Sequence, residues 1–86
     1  MPRLAPTPLY LNETEREQLQ QLVNRHNTPQ QIAIRASIIL LADEGQNHRE
    51  IAHDLNISRD MARLWRNRWL ELRQKHIPVA ERLAYA

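Results

Sequence analysis

Five arginines stand at positions 59, 63, 66, 68 and 73, in a segment that also carries Ser58, Asp60 and Asn67. Guanidinium groups stay charged and make no covalent chemistry at neutral pH; they pair with phosphates and fork onto the paired acceptors of guanine. Asparagine fits adenine in the same bidentate way, aspartate accepts from cytosine, and a serine hydroxyl bonds to either partner. The chemistry these residues offer is non-covalent recognition of a polyanion. Their charge is local. Residues 1–57 hold five Arg against seven Asp or Glu (−2), residues 58–75 hold six Arg or Lys against two acids (+4), and 76–86 is neutral, which together make the formal net charge of +2. A basic patch inside a nearly balanced chain is the electrostatic footprint of a nucleic-acid binder. A solvated helix face looks the same in composition, so the elements that carry the arginines decide the matter.

Other chemistries find little support. With no cysteine, the chain offers neither disulfides nor thiolate ligands. His48 and His53 are five residues apart, a poor spacing for one helix to present two imidazoles to a metal, and no metal site or cofactor is expected. Asp43 and Glu44 are neighbours and point apart on a helix, so they form no acid–base pair. No nucleophile–base constellation and no glycine-rich phosphate loop occur, so no catalytic residues are assigned and no enzyme is expected. The longest apolar run, Ile38 to Ala42, is far too short to span a bilayer. Prolines interrupt "MPRLAPTPLYL" where a signal peptide needs a continuous apolar stretch. A soluble protein of the cell interior is expected.

The elements that position the arginines are marked by start and stop signals. In "NETE", either Asn12 with Glu15 or Thr14 with Glu17 can form a capping box for a first helix running to about His26. "TPQQ" predicts a second start, with Thr28 as cap and Pro29 as first helical residue, and an end near Glu44 at a left-handed Gly45. Asn47 and Glu50 open a short third helix through Leu55, and Ser58 caps a fourth that lasts to about Gln74. Pro78 precedes a final turn or short helix. The domain plan is an N-terminal arm (1–11), a helical domain (12–75) with its helix-turn-helix at 48–69, and a C-terminal tail or interdomain linker (76–86). The second helix carries two apolar stripes, Ile32, Ala36, Ile39 and Leu40 on one side and Ile34, Ile38 and Leu41 on the other. Such a helix is either buried centrally or uses one stripe to pair with another chain.

The third and fourth helices have the spacing of a helix-turn-helix. Ala52 is small where the helices approach, Asn56 stands where the turn needs a left-handed residue, and Ile57 fills the gap between helices. At ~100° per residue, Met61, Ala62, Trp65, Trp69 and Leu72 share one arc of the fourth helix, the core side. Arg59, Arg63, Arg66 and Arg73 form a basic ridge, with Asp60 and Asn67 along its edge. A recognition helix in the major groove reads bases with its N-terminal and outward residues, here Ser58, Arg59, Asp60, Arg63 and Asn67. His48, Arg49, Arg66, Arg68 and Arg73 are placed to contact phosphates, which fix orientation without reading sequence.

The segment "TPQQIAIRASIILLADEGQNHREIAHDLNISRDMARLWRNRWLE" resembles the N-terminal DNA-binding region of mariner-type bacterial insertion-sequence transposases. The matching residues are Thr28, Pro29, Arg35, Ala36, Ile38 to Ala42, Glu44, Gly45, Glu50, Ile51, Ala52, Leu55, Ser58, Arg59, Trp65 and Arg66. The likeness extends over about residues 9 to 83. It implies an all-α, homeodomain-like fold of about four helices plus the short C-terminal element, sequence-specific binding to double-stranded DNA at the element's terminal inverted repeats, and a nucleoid-associated place in the bacterial cytoplasm. The family's catalytic domain would follow residue 86, so cleavage and strand transfer are not expected of these residues. Three departures stand out: Asn56 for the usual glycine, Ala62 for a larger β-branched residue, and Leu64 where a basic residue is common. A transposase fragment, a remnant and a stand-alone transcription regulator are all consistent with this reading. A homodimer is an open alternative, and neither a membrane nor a small-molecule substrate is expected. The rival is a protein-interaction module that uses the stripe at 34–41 and Leu64 as its surface.

Overall fold

The structure, a computed structural model, describes residues 9–84. Its elements in chain order are α1 (Glu13–Asn24), α2 (Gln30–Asp43), α3 (His48–Leu55), α4 (Arg59–Gln74) and α5 (Val79–Ala84). The fold is all-α, a homeodomain-like helix-turn-helix arrangement, and no strand occurs among the described residues. No helix among them is long and apolar enough to cross a membrane. Most of the expected arm, residues 1–8, lies outside the described residues, as do the last two residues of the tail.

Local chemistry sets the helix ends. At α1 the capping box is the Asn12–Glu15 one: the Glu15 amide donates to Asn12 Oδ1 at 2.7 Å, and the Asn12 amide donates to Glu15 Oε1 at 3.0 Å. Thr14, the alternative cap, is inside the helix. The start of α2 differs from expectation. Pro29 takes the cap position, with φ −54° and ψ 140°, and no side chain caps the helix. Pro29 supplies only its carbonyl, which accepts from the Ala33 amide at 3.0 Å; at that ψ it stands outside the helix, one residue later than a Thr28 cap requires. Gly45 ends α2 at φ 95°, and a Cβ there would touch nothing, so glycine is needed for its conformation and not for space.

The turn between α3 and α4 is built as the spacing predicts. Asn47 and Glu50 exchange capping-box bonds of 2.8 and 2.9 Å at the start of α3. Asn56 is left-handed, at φ 55° and ψ 49°, and the Ile57 amide closes back on the Ala52 carbonyl at 3.0 Å. Ser58 Oγ accepts from the Met61 amide at 3.1 Å, opening α4. Because an L-residue with a full Cβ pays about 1–2 kcal/mol in this backbone region while glycine and asparagine are tolerated, Asn56→Ala is expected to cost about 1 kcal/mol and Asn56→Gly to be neutral or stabilising. Midpoints of chemical denaturation measure both; an alanine as stable as the glycine variant would contradict the turn geometry.

α2 runs through the centre and packs on α1, α3, α4 and α5. Both of its stripes go inward: Ala36, Ile38, Ile39 and Ala42 are buried, and Ile32, Ile34, Leu40 and Leu41 pack partly buried against them. The stripe that a protein-interaction reading required is thus used within the chain. α4 contributes Ala62, Trp65, Trp69 and Leu72, and α3 contributes Ile51 and Ala52. Leu9 and Leu11 from the expected arm, and Val79 and Leu83 from the expected tail, are also buried.

A buried ionic cluster ties the ends of the chain to this core. Glu15 receives Arg82 Nη1 at 2.8 Å on one carboxylate oxygen and approaches Arg73 Nη2 at 3.2 Å on the other. Arg82 also lies over the Trp69 ring, 4.6 Å from its centroid, and donates to the Ile77 carbonyl. Arg35 donates to the Leu83 carbonyl at 2.8 Å, holding the end of α5 against α2. Burial works to raise the Glu15 pKa, but the Arg82 hydrogen bond, the Asn12 amide and the charges of Arg73 and Arg82 together bring it below the usual carboxylate range.

Candidate nucleic-acid interface

α4 is divided along its length. Its inner side holds two indoles, with Trp65 5 % and Trp69 1 % exposed. Its outer side presents Arg59, Asp60, Arg63 and Asn67, all exposed, with Ser58 exposed at its cap. The division follows from the 3.6-residue period: positions 62, 65, 69 and 72 turn inward and positions 59, 60, 63 and 67 turn away. Four of the five residues expected to face bases therefore share one side of α4, and Ser58 is exposed at its N-terminal end.

The start of α3 lies beside this surface. Asn47, His48 and Arg49 face Arg59, Asp60 and Arg63 across an open polar cleft. Among the described residues, neither Arg49 nor Arg59 has an ion-pair or hydrogen-bond partner for its side chain. Arg63 Nη2 donates to Asp60 Oδ1 at 2.8 Å, one turn back on the same helix. Burial first, and then the positive charges of Arg66 and Arg63, lower the His48 pKa, so its imidazole is neutral at neutral pH. Its Nε2 is enclosed without a hydrogen-bond partner among the described residues. His48 is therefore beside the basic ridge but is not one of its charges in the free protein.

The remaining expected contacts separate. Arg66 and Arg68 are partly buried at the margins of α4. At ~100° per residue they lie on opposite flanks of the core arc. Arg68 lies 5.2 Å from the Trp65 ring centroid and Arg35 lies 4.0 Å from it, a pair of guanidiniums on one indole. Arg73 is not on the outward face. Besides meeting Glu15, it donates to the Leu9 carbonyl at 2.7 Å and the Tyr10 carbonyl at 3.1 Å. Its position at the edge of the basic arc, next to the core arc, lets it turn inward and latch the chain ahead of α1. Among the described residues no group of three or more His, Cys, Asp or Glu is gathered that could hold a metal.

Residues 35–76, from the middle of α2 to just beyond α4, match the family described as winged helix-turn helix. The match supports a helix-turn-helix DNA-binding domain. It covers the whole helix-turn-helix, α3 through α4, together with the part of α2 on which those helices rest. The wing in the family's description has no counterpart among the described residues, which contain no strand. No curated protein and no solved structure matches the chain.

Three residues important to this helix-turn-helix were not singled out for such a role from sequence: Glu15, Arg35 and Arg82. Arg35 had a local signal, a lone cation within the apolar run "IAIRASIILLA". The pairing of Glu15 with Arg82 had none, because the two are 67 positions apart.

Proposed function

We propose that the chain binds double-stranded DNA sequence-specifically, with α4 in the major groove. In this reading Ser58, Arg59, Asp60, Arg63 and Asn67 face base edges, while Arg49, Arg66 and Arg68 meet phosphates. His48 adds a neutral hydrogen-bonding group beside them. The observation that carries the proposal is the division of α4, with buried indoles behind and a polar, arginine-bearing face in front, beside the exposed Arg49 and Arg59. A groove has phosphates on both sides, and Arg66 and Arg68 on opposite flanks of the helix suit that geometry. Arg73 is left out because its guanidinium is engaged inside the domain.

The two contact classes make different predictions. Arg49→Ala is expected to weaken binding evenly across sequences and to reduce the dependence of log K on log salt by about one unit of slope. Arg63→Ala is expected to cost about 1–3 kcal/mol on the preferred site, roughly 5- to 150-fold, and to relax preference at one base position. Arg25→Ala, on the exposed end of α1, serves as control and should change neither. Titrations of a duplex selected from a random pool, repeated at several salt concentrations, give all three results. Equal losses for Arg63 and Arg25 would remove the mechanism.

The likeness at Arg35, Ala36, Ile38 to Ala42, Glu44, Gly45, "EIA", Ser58, Arg59, Trp65 and Arg66 leads us to infer descent from mariner-type transposases, with a transposon end as the natural site. An asymmetric selected sequence supports that origin. A palindromic one indicates a symmetric dimer and a regulatory role, since one helix-turn-helix covers a half-site.

A further inference from the structure

We propose that Asp60 is a specificity-determining residue of the DNA face, acting through its hold on Arg63; the inference rests on the DNA-binding reading. A surface that only attracts phosphates gains nothing from a carboxylate in its midst, yet Asp60 stands in the first turn of α4 between Arg59 and Arg63. An acid at a helix N-terminus also complements the helix dipole, but that role needs no side-chain partner. Here the carboxylate reaches Arg63 Nη2 at 2.8 Å, with the Asp60 side chain 86 % and the Arg63 side chain 60 % exposed. Exposed pairs of this kind add little to stability, so the value of the contact lies in where it aims the guanidinium.

Arginine has five N–H donors in a planar fork. The bond to Asp60 uses one of the two Nη2 hydrogens and leaves the other, with those on Nη1 and Nε, available to a base. A guanidinium steadied in this way meets the O6 and N7 of guanine with less freedom to lose. Where guanine is absent, the remaining donors find no matching pair of acceptors, and the Asp60 carboxylate stands exposed in the negative potential of the duplex. The pair thus favours the correct base and opposes backbone binding elsewhere, a device in which part of the discrimination is repulsive.

The test compares wild type, Asp60→Asn, Arg63→Ala and the double variant on two probes at one salt concentration: a duplex selected from a random pool by the wild type, and a scrambled duplex of the same composition. Asp60→Asn is expected to tighten binding to the scrambled duplex and to reduce the ratio of specific to scrambled affinity by about tenfold, within the range of one bidentate base contact. With Arg63 already alanine, the same change should leave the ratio as it was. An unchanged ratio in Asp60→Asn overturns the inference. So does an equal loss with Arg63 absent, which would mean that Asp60 reads its base directly. If the wild type shows no salt-sensitive binding to either duplex, the DNA-binding reading itself fails. Denaturation midpoints of the exposed-site variants should stay together, separating any change in recognition from a change in folding.

Discussion

Replacing Glu15 with alanine is expected to destabilise the domain by about 3–5 kcal/mol, the range for removing one partner of a buried ion pair. The carboxylate is 6 % exposed and its partner Arg82 only 10 %, so the arginine cannot rehydrate without opening α5 from the core. Arg73 is more exposed, at 31 %, and recovers part of its hydration. The alanine also removes the carboxylate that receives the Asn12 amide in the capping box. Most of the cost therefore comes from leaving Arg82 charged and unpaired. Replacing Glu15 and Arg82 together by methionine should recover much of the loss, since apolar groups of similar volume often substitute for a buried pair without penalty. Urea denaturation of the three proteins provides the test; a shift for Glu15→Ala below about 1 kcal/mol would show that the cluster is hydrated and not structural.

The same site gives a pH dependence with a defined sign. The folded pKa of Glu15 lies below its ordinary value, so the unfolded chain binds the proton more readily than the folded one. The resulting stability is present above the unfolded glutamate pKa and is lost as pH falls through the folded one. Wild type should lose stability across that acid window, and Glu15→Ala should lack this component.

The parts of the fold legible in sequence are those whose causes lie within about one helical turn. Asn12 with Glu15, Asn47 with Glu50, and Ser58 with Met61 are each three residues apart, so spacing marks each helix start, although at α1 it leaves Thr14 with Glu17 open beside Asn12 with Glu15. Asn56 is legible because few side chains tolerate its backbone region. The inward arc of α4 is legible because the helix period is fixed. The Thr28 cap failed on a feature that spacing does not fix, the ψ angle at Pro29. The candidate site follows the same division. Arg59, Asp60, Arg63 and Asn67 keep their expected exposure because the helix phase alone decides it. The inward turn of Arg73 and the partial enclosure of His48 are not legible from spacing. Arg73 is claimed by carbonyls 63 and 64 positions earlier in the chain, and the His48 pKa is lowered by burial and by charges on another helix. Both depend on tertiary approach, for which one sequence holds no local sign.

Trp69→Ala is expected to be the most damaging change in α4, costing about 3–5 kcal/mol for the lost packing and about 0.5–2 kcal/mol more for the Arg82 contact over its ring. A domain of this size has about 5–15 kcal/mol in all, so the variant should be largely unfolded at physiological temperature and lose DNA binding with its fold. Trp69→Phe separates packing from polarity. The Trp69 Nε1 is buried with no hydrogen-bond partner among the described residues, and an unsatisfied donor carries a desolvation penalty of about 1–3 kcal/mol. Phenylalanine removes that donor while keeping most of the ring, so its volume loss is offset and the variant should stay within about 1 kcal/mol of wild type. Calorimetric midpoints, read beside duplex titrations, make the comparison. If the alanine variant keeps both its fold and its DNA affinity, the indole is not what holds the arginine-bearing face of α4 in place. If the phenylalanine variant falls as far as the alanine one, the buried N–H has a partner that the side chains around it do not provide.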